Sequence, residues 1–67
     1  MRANIFWTYY YLADDVRAYQ EGPFTTYSEA RRVATEVDRD LYPVDLWIEC
    51  GSAPVWQQSR ERFARNH

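Results

Sequence analysis

Apolar and polar positions alternate in ways that divide this chain into five segments. Asn4 to Leu12 is almost unbroken by polar residues and holds no Gly or Pro, so it reads as a β-strand. With a period of two, Ile5, Trp7, Tyr9 and Tyr11 point one way and Phe6, Thr8, Tyr10 and Leu12 the other. Neither set is polar. A strand of this kind is central, or has something packed on both sides, such as a helix on one and a partner on the other. Ala13-Asp14-Asp15 is a turn signal, because Asp side chains bond local backbone. Val16 to Glu21 follows as a more polar strand, spaced for an antiparallel hairpin, and Gly22-Pro23 is expected to end it.

Helical periodicity then takes over. Thr26-Tyr27-Ser28-Glu29 is a capping box, in which the Thr26 hydroxyl accepts from the Glu29 amide and the Glu29 side chain reaches back; Ser28 is a competing cap. Tyr27, Ala30, Val33, Ala34, Val37 and Leu41 form one apolar stripe, while Glu29, Arg31, Arg32, Glu36, Asp38 and Arg39 fall mostly off it. The spacing predicts a helix from about Tyr27 to about Asp40, terminated by Tyr42-Pro43. Alternation returns from Val44 to Cys50, with Val44, Leu46, Ile48 and Cys50 inward and Asp45, Trp47 and Glu49 outward. Gly51-Ser52-Ala53-Pro54 is a turn, and Val55 to about Ser59 is a fourth strand followed by a helical or frayed tail. The competing reading starts a helix at Pro54, capped by Ser52, because Gln57 to Arg65 are good helix formers.

The expected order is β-β-α-β-β, an α+β fold with a four-stranded antiparallel sheet and one helix packed on one face. Ala30 and Ala34 let the helix sit close. The other sheet face is open, or covered by a second copy.

Length limits this arrangement. The 67 residues make a single domain, 1–67, and a chain this size buries only about 60% of the surface its unfolded form exposes. Cys50 is alone and cannot form an internal disulfide, so it is expected as a small buried hydrophobe in a reducing, cytoplasmic compartment. Three Trp, six Tyr and three Phe are more ring surface than so small a core can hide. Rings left on a surface usually meet a partner. No signal peptide and no membrane span are read, since Asp14 and Asp15 cut short the early apolar stretch.

Charge narrows the class of partner. The net charge is −2, all eight bases are Arg and Lys is absent, which is not a nucleic-acid-binding balance. No catalytic constellation is seen: the single His is His67, the last residue, and only two Gly are present. Asp14-Asp15 and the Asp38/Asp40 pair read as solvated turn and helix-end carboxylates rather than a metal site. A non-enzymatic protein without a cofactor is expected.

Three patches are candidates for binding. The first is the strand with Trp7, Tyr9, Tyr10 and Tyr11. The second is Arg31, Arg32 and Arg39 on the helix, which pairing with acids such as Glu36 also explains. The third is the tail with Arg60, Arg62, Phe63 and Arg65. The expected anchors are Trp47, Trp56 and one of Tyr9 or Tyr10.

The segment from Thr26 to Thr35, with its cap and its Ala-Arg-Arg-Val-Ala centre, resembles the capped helix of small phage-encoded β-β-α-β-β proteins, and of one type I-F anti-CRISPR family in particular. The chain departs from that family in lacking Lys, in its acidity and in its more aromatic first strand. The resemblance implies a phage or mobile-element inhibitor that binds a bacterial protein or ribonucleoprotein complex in the host cytoplasm, where nucleic acid would otherwise lie. Arg31 and Arg32 are the nearest positional match. A single-stranded nucleic-acid-binding module and a self-associating structural domain, such as a homodimer, are the alternatives.

Overall fold

The computed structural model describes residues 4–60. The elements are β1 (Phe6–Tyr11), β2 (Ala18–Phe24), α1 (Tyr27–Leu41), β3 (Asp45–Cys50) and β4 (Ala53–Ser59). All neighbouring strands are antiparallel, in the order β2-β1-β3-β4. The α+β class and the β-β-α-β-β order expected from the pattern are both present. The aromatic β1 lies between β2 and β3, which is why neither of its faces is polar.

Helix α1 begins where the capping box places it. Thr26 is extended, and its hydroxyl accepts the Glu29 amide at 3.2 Å. At the other end Tyr42 turns left-handed at φ 53° and its amide donates to the Asp38 carbonyl at 3.2 Å, after which Pro43 bars continuation. Ala30 and Ala34 are fully buried, and their small side chains bring the helix backbone down onto the sheet. Thr8 on β1 exploits that closeness: its buried hydroxyl donates to the Ala30 carbonyl at 3.0 Å.

The core joins Tyr10, Ala30, Ala34, Val37, Leu46 and Ile48, with Phe6, Leu12, Tyr19, Phe24, Val33 and Trp56 packed around them. Leu46 and Ile48 are fully enclosed and each contributes about 1.5–3 kcal/mol by leaving water. The helical stripe is less deeply set at its ends. Tyr27 and Leu41 stay exposed, Tyr27 meeting Phe6 edge to face with ring centroids 6.1 Å apart.

Several boundaries differ from the sequence expectation. Strand β2 does not stop at Gly22-Pro23 but runs through it to Phe24. Gly22 takes φ 140°, the pairing with β1 shifts between Phe6 and Thr8, and Pro23 lies on an edge strand, where a missing N–H breaks no ladder. Val16 and Arg17 stay in the turn, where the Arg17 amide donates to the Asp15 carboxylate at 3.1 Å. Strand β4 starts at Ala53, and Gly51 at φ 67° makes the turn with Ser52. The strand reading of this region holds over the helical one, while the expected tail beyond Arg60 lies outside the described residues. Cys50 is half-buried rather than enclosed. Among the described residues no helix is long and apolar enough to cross a membrane.

Candidate binding surface

Helix α1 covers one face of the sheet, and among the described residues no element covers the other. Directly paired residues in a sheet project to the same side, so the register maps the open face. From β1 come Trp7, Tyr9 and Tyr11; opposite Tyr9 stands Trp47 of β3; Asp45 and Glu49 lie on either side of Trp47 along its strand. Gln20 of β2 and Gln57 of β4 flank the rings.

The rings are ordered against one another. Tyr9 and Trp47 stack at 5.4 Å between centroids with planes 15° apart, and Tyr11 leans on Trp47 at 5.7 Å and 32°. Offset contacts of this kind contribute about 0.5–1.5 kcal/mol each beyond area burial. The Trp47 indole N–H donates to Glu49 Oε2 at 2.9 Å, fixing the rotation of the ring. Trp7 lies over Gly22, whose missing side chain is the space it occupies: a Cβ there would stand 3.0 Å from the Trp7 ring. Trp7, Tyr9, Tyr11 and Trp47 are all half-buried. On the β4 side of Trp47 a shallow depression of 310 Å³ is lined by Asp45, Trp47, Glu49, Pro54 and Gln57.

The other expected anchors lie elsewhere. Tyr10 is on the helix side of β1, 6% exposed, stacked on Tyr19 at 5.4 Å, with its hydroxyl donating to Glu21 at 3.3 Å. Burial and then the Glu21 charge push its phenol above the ordinary tyrosine value. Of the pair Tyr9 or Tyr10, only Tyr9 is presented. Trp56 pairs with Ile48 and so lies on the helix side, where the Arg31 guanidinium covers it at 4.2 Å. It does not join Trp47. The phase of β4 is shifted by an irregularity between Ile48 and Glu49, a local feature that alternation alone does not reveal.

The described arginines are engaged within the chain. Arg32 pairs with Glu36 at 2.9 Å, one turn along the helix, and Arg39 with Asp40 at 2.8 Å. Arg60 bonds Asp38 at 2.7 Å and the Pro43 carbonyl at 3.1 Å while lying over the Tyr42 ring at 3.5 Å. Arg17 sits over Tyr19, close to Asp15. Arg62 lies outside the described residues. The expected pairing of the helix arginines with nearby acids is therefore present for Arg32, and the helix arginines and the ring face are on opposite sides of the sheet.

Three of the four carboxylates considered for cation binding are matched in the same way. Asp38 takes Arg60 and Gln58, Asp40 takes Arg39, and Asp15 takes Tyr19 and the Arg17 backbone. Among the described residues no group of three or more potential ligands could hold a metal ion. A larger concavity of 570 Å³ runs between α1 and β2, floored by Tyr10, Phe24, Val33 and Val37, but two of its rim acids, Glu36 and Asp40, already face Arg32 and Arg39.

Trp7 and Tyr11 belong to the surface as much as Tyr9 and Trp47 do. The signal for them is the alternation of β1 itself, which puts all three of its outward rings on one line. No protein family, curated protein or solved structure matches the chain.

Proposed function

We propose that this protein acts by occupancy, binding another protein or a ribonucleoprotein through the open face of its sheet. The observation that carries this reading is the set of half-buried rings on the face the helix does not cover, Tyr9 and Tyr11 packed on Trp47 and Trp7 seated over Gly22 beside them. Rings already ordered lose little freedom when a partner arrives, so more of their contact energy appears as affinity. No catalytic role is assigned to any residue.

The finer identity, an inhibitor or modulator from a phage or mobile element acting in the bacterial cytoplasm, is supported by the helix resemblance from Thr26 to Thr35. The contact surface is better supported on the sheet than on the helix, because Arg31 and Arg32 already have partners in Trp56 and Glu36. A single-stranded nucleic acid fits the face less well, since Glu49 and Asp45 border the rings where phosphates would lie.

The test is capture from a bacterial lysate, with and without nuclease, using the parent chain, Tyr9→Ala and Trp47→Ala. Circular dichroism checks that each variant is folded. A stoichiometric protein complex that survives nuclease and is lost with both variants is the expected result. A true hot spot costs about 2 kcal/mol or more on truncation, close to thirtyfold in affinity. Undiminished capture by both folded variants removes the ring face from the account. Capture lost on nuclease treatment assigns the face to nucleic acid, and recovery of the bait alone assigns it to self-association.

A further inference from the structure

The ring face also carries chemical information about what it meets. This inference rests on the open face being the contact surface, and it names the group that would occupy its acidic border.

The chain uses one device repeatedly on its other surfaces. Arg17 lies over Tyr19 at 5.3 Å with Asp15 at 3.7 Å. Arg60 lies over Tyr42 at 3.5 Å with Asp38 at 2.7 Å. Arg31 lies over Trp56 at 4.2 Å. In the first two a ring and a carboxylate together hold a guanidinium, the ring through its negative face and the acid through its charge.

Trp47 offers the same two components without the third. Its Nε1–H donates to Glu49 at 2.9 Å, so ring and carboxylate are locked together. A donated indole proton shifts electron density toward the ring and makes its face a better seat for a cation. The side of the indole toward β1 rests on Tyr9; the side toward β4 borders the 310 Å³ depression, with Glu49, Pro54 and Gln57 around it. Among the described residues no cation lies over Trp47. The described arginines are elsewhere: Arg17 in the β1–β2 turn, Arg31, Arg32 and Arg39 on α1, and Arg60 just past β4. A carboxylate offers about four lone-pair positions, so one bond from Trp47 leaves Glu49 able to accept more.

We propose that an arginine of the protein partner completes this site, its guanidinium lying flat against Trp47 and paired with Glu49. Arginine suits the place better than lysine, because a planar guanidinium stacks on an indole and presents a fork of donors to a carboxylate at once. A second copy docked face to face is disfavoured, because the described residues of that face bring no arginine to Trp47.

The experiment titrates the full chain with the peptide acetyl-Leu-Arg-Leu-amide and, separately, with its citrulline isostere, which keeps the shape and removes the charge. Proton–nitrogen correlation spectra follow the indole N–H signals of Trp7, Trp47 and Trp56. The arginine peptide is expected to shift Trp47 saturably and to leave Trp56 unmoved, with the citrulline peptide at least about fivefold weaker. Glu49→Gln keeps an oxygen to accept the indole proton and removes only the charge, so it should bring the arginine peptide down to the citrulline level. Equal shifts of Trp47 by both peptides would overturn the arginine assignment while leaving the ring face in place as a contact surface. A response at Trp56 instead, or none at Trp47, overturns it as well, and the capture experiment with Tyr9→Ala and Trp47→Ala then decides the surface itself.

Discussion

Replacing Thr8 by Val tests how the helix is held to the sheet. Thr8 is the buried polar residue among those described, fully enclosed, and its hydroxyl reaches the Ala30 carbonyl at 3.0 Å. Valine has nearly the same shape, so Thr8→Val removes the hydrogen bond and little else. The Ala30 carbonyl keeps its place in the helical ladder, so no acceptor is left wholly unpaired, and the expected loss is that of one net hydrogen bond, about 1 kcal/mol. For a chain this short the whole stability is roughly 3–10 kcal/mol, so the loss is a sizeable share of it. It corresponds to a fall of about 4–8 °C in Tm. Thr8→Ser is the companion variant: it keeps the hydroxyl and deletes a buried methyl, at a cost of about 1 kcal/mol from transfer alone, with any residual cavity adding to it. Denaturant unfolding of both, with circular dichroism and Trp fluorescence as paired probes, separates the two contributions. If Thr8→Val is as stable as the parent, or more so, the hydroxyl loses as much in desolvation as the bond returns, and the account of Thr8 as a pin between β1 and α1 fails.

Three further outcomes are expected. Gly22→Ala should destabilise by ~1–3 kcal/mol, because φ 140° strains any side chain and the new Cβ meets the Trp7 ring at 3.0 Å; an unchanged unfolding midpoint would show that Trp7 does not rest there. Ala30→Leu should cost ~1–3 kcal/mol by forcing the helix off the sheet, and a change of less than about 0.5 kcal/mol would contradict the close approach at this fully buried position. The Asp15 carboxyl is held below its ordinary 3.8, first by the Tyr19 hydroxyl and then by the Arg17 amide, and the same bond raises Tyr19 above 10.0. The Asp15 contribution is thus complete above 3.8 and is lost as pH falls through its lowered value, while that of Tyr19 is complete below 10.0 and is lost as pH rises through its raised value. A carboxyl titration by NMR should move Asp15 back toward 3.8 in Tyr19→Phe, and no movement would sever the link.

Much of the architecture was legible because the local signals agreed with one another. The capping box, the apolar stripe and Pro43 bracket α1 to within a residue or so, and the alternation of β3 sets its two faces correctly. The binding surface was harder to read. On β1 both alternate sets are aromatic, so hydrophobicity does not say which goes under the helix, and Tyr10 looks as available as Tyr9. Thr8 breaks the tie: it shares a face with Tyr10, and its hydroxyl finds a partner only where a helix backbone comes close. Ala30 and Ala34 make that approach possible, so the information was present but divided between two distant segments. The extension of β2 through Gly22-Pro23 was illegible because those residues end strands in most settings; here an edge position and the Trp7 ring over Gly22 reverse their meaning. The side taken by Trp56 was illegible for a related reason, since one irregularity in the β3–β4 pairing sets where its ring goes.

The position of β1 in the sheet has a consequence for how the protein survives its own folding. From Ile5 to Leu12 the chain has no charge and no Pro, and is built of aromatic and aliphatic residues with one Thr, the composition of a segment that associates with copies of itself when exposed. In the native sheet both backbone edges of this strand are taken, one by β2 and one by β3, while Pro23 and Pro54 interrupt the outer strands. The folded molecule therefore shields the stretch most able to seed aggregates, and the hazard is confined to the interval before β2 and β3 close on it. Refolding yield should fall steeply with protein concentration while the native protein stays dispersed at the same concentration, so that assembly of the sheet is a race between pairing within one chain and pairing among many.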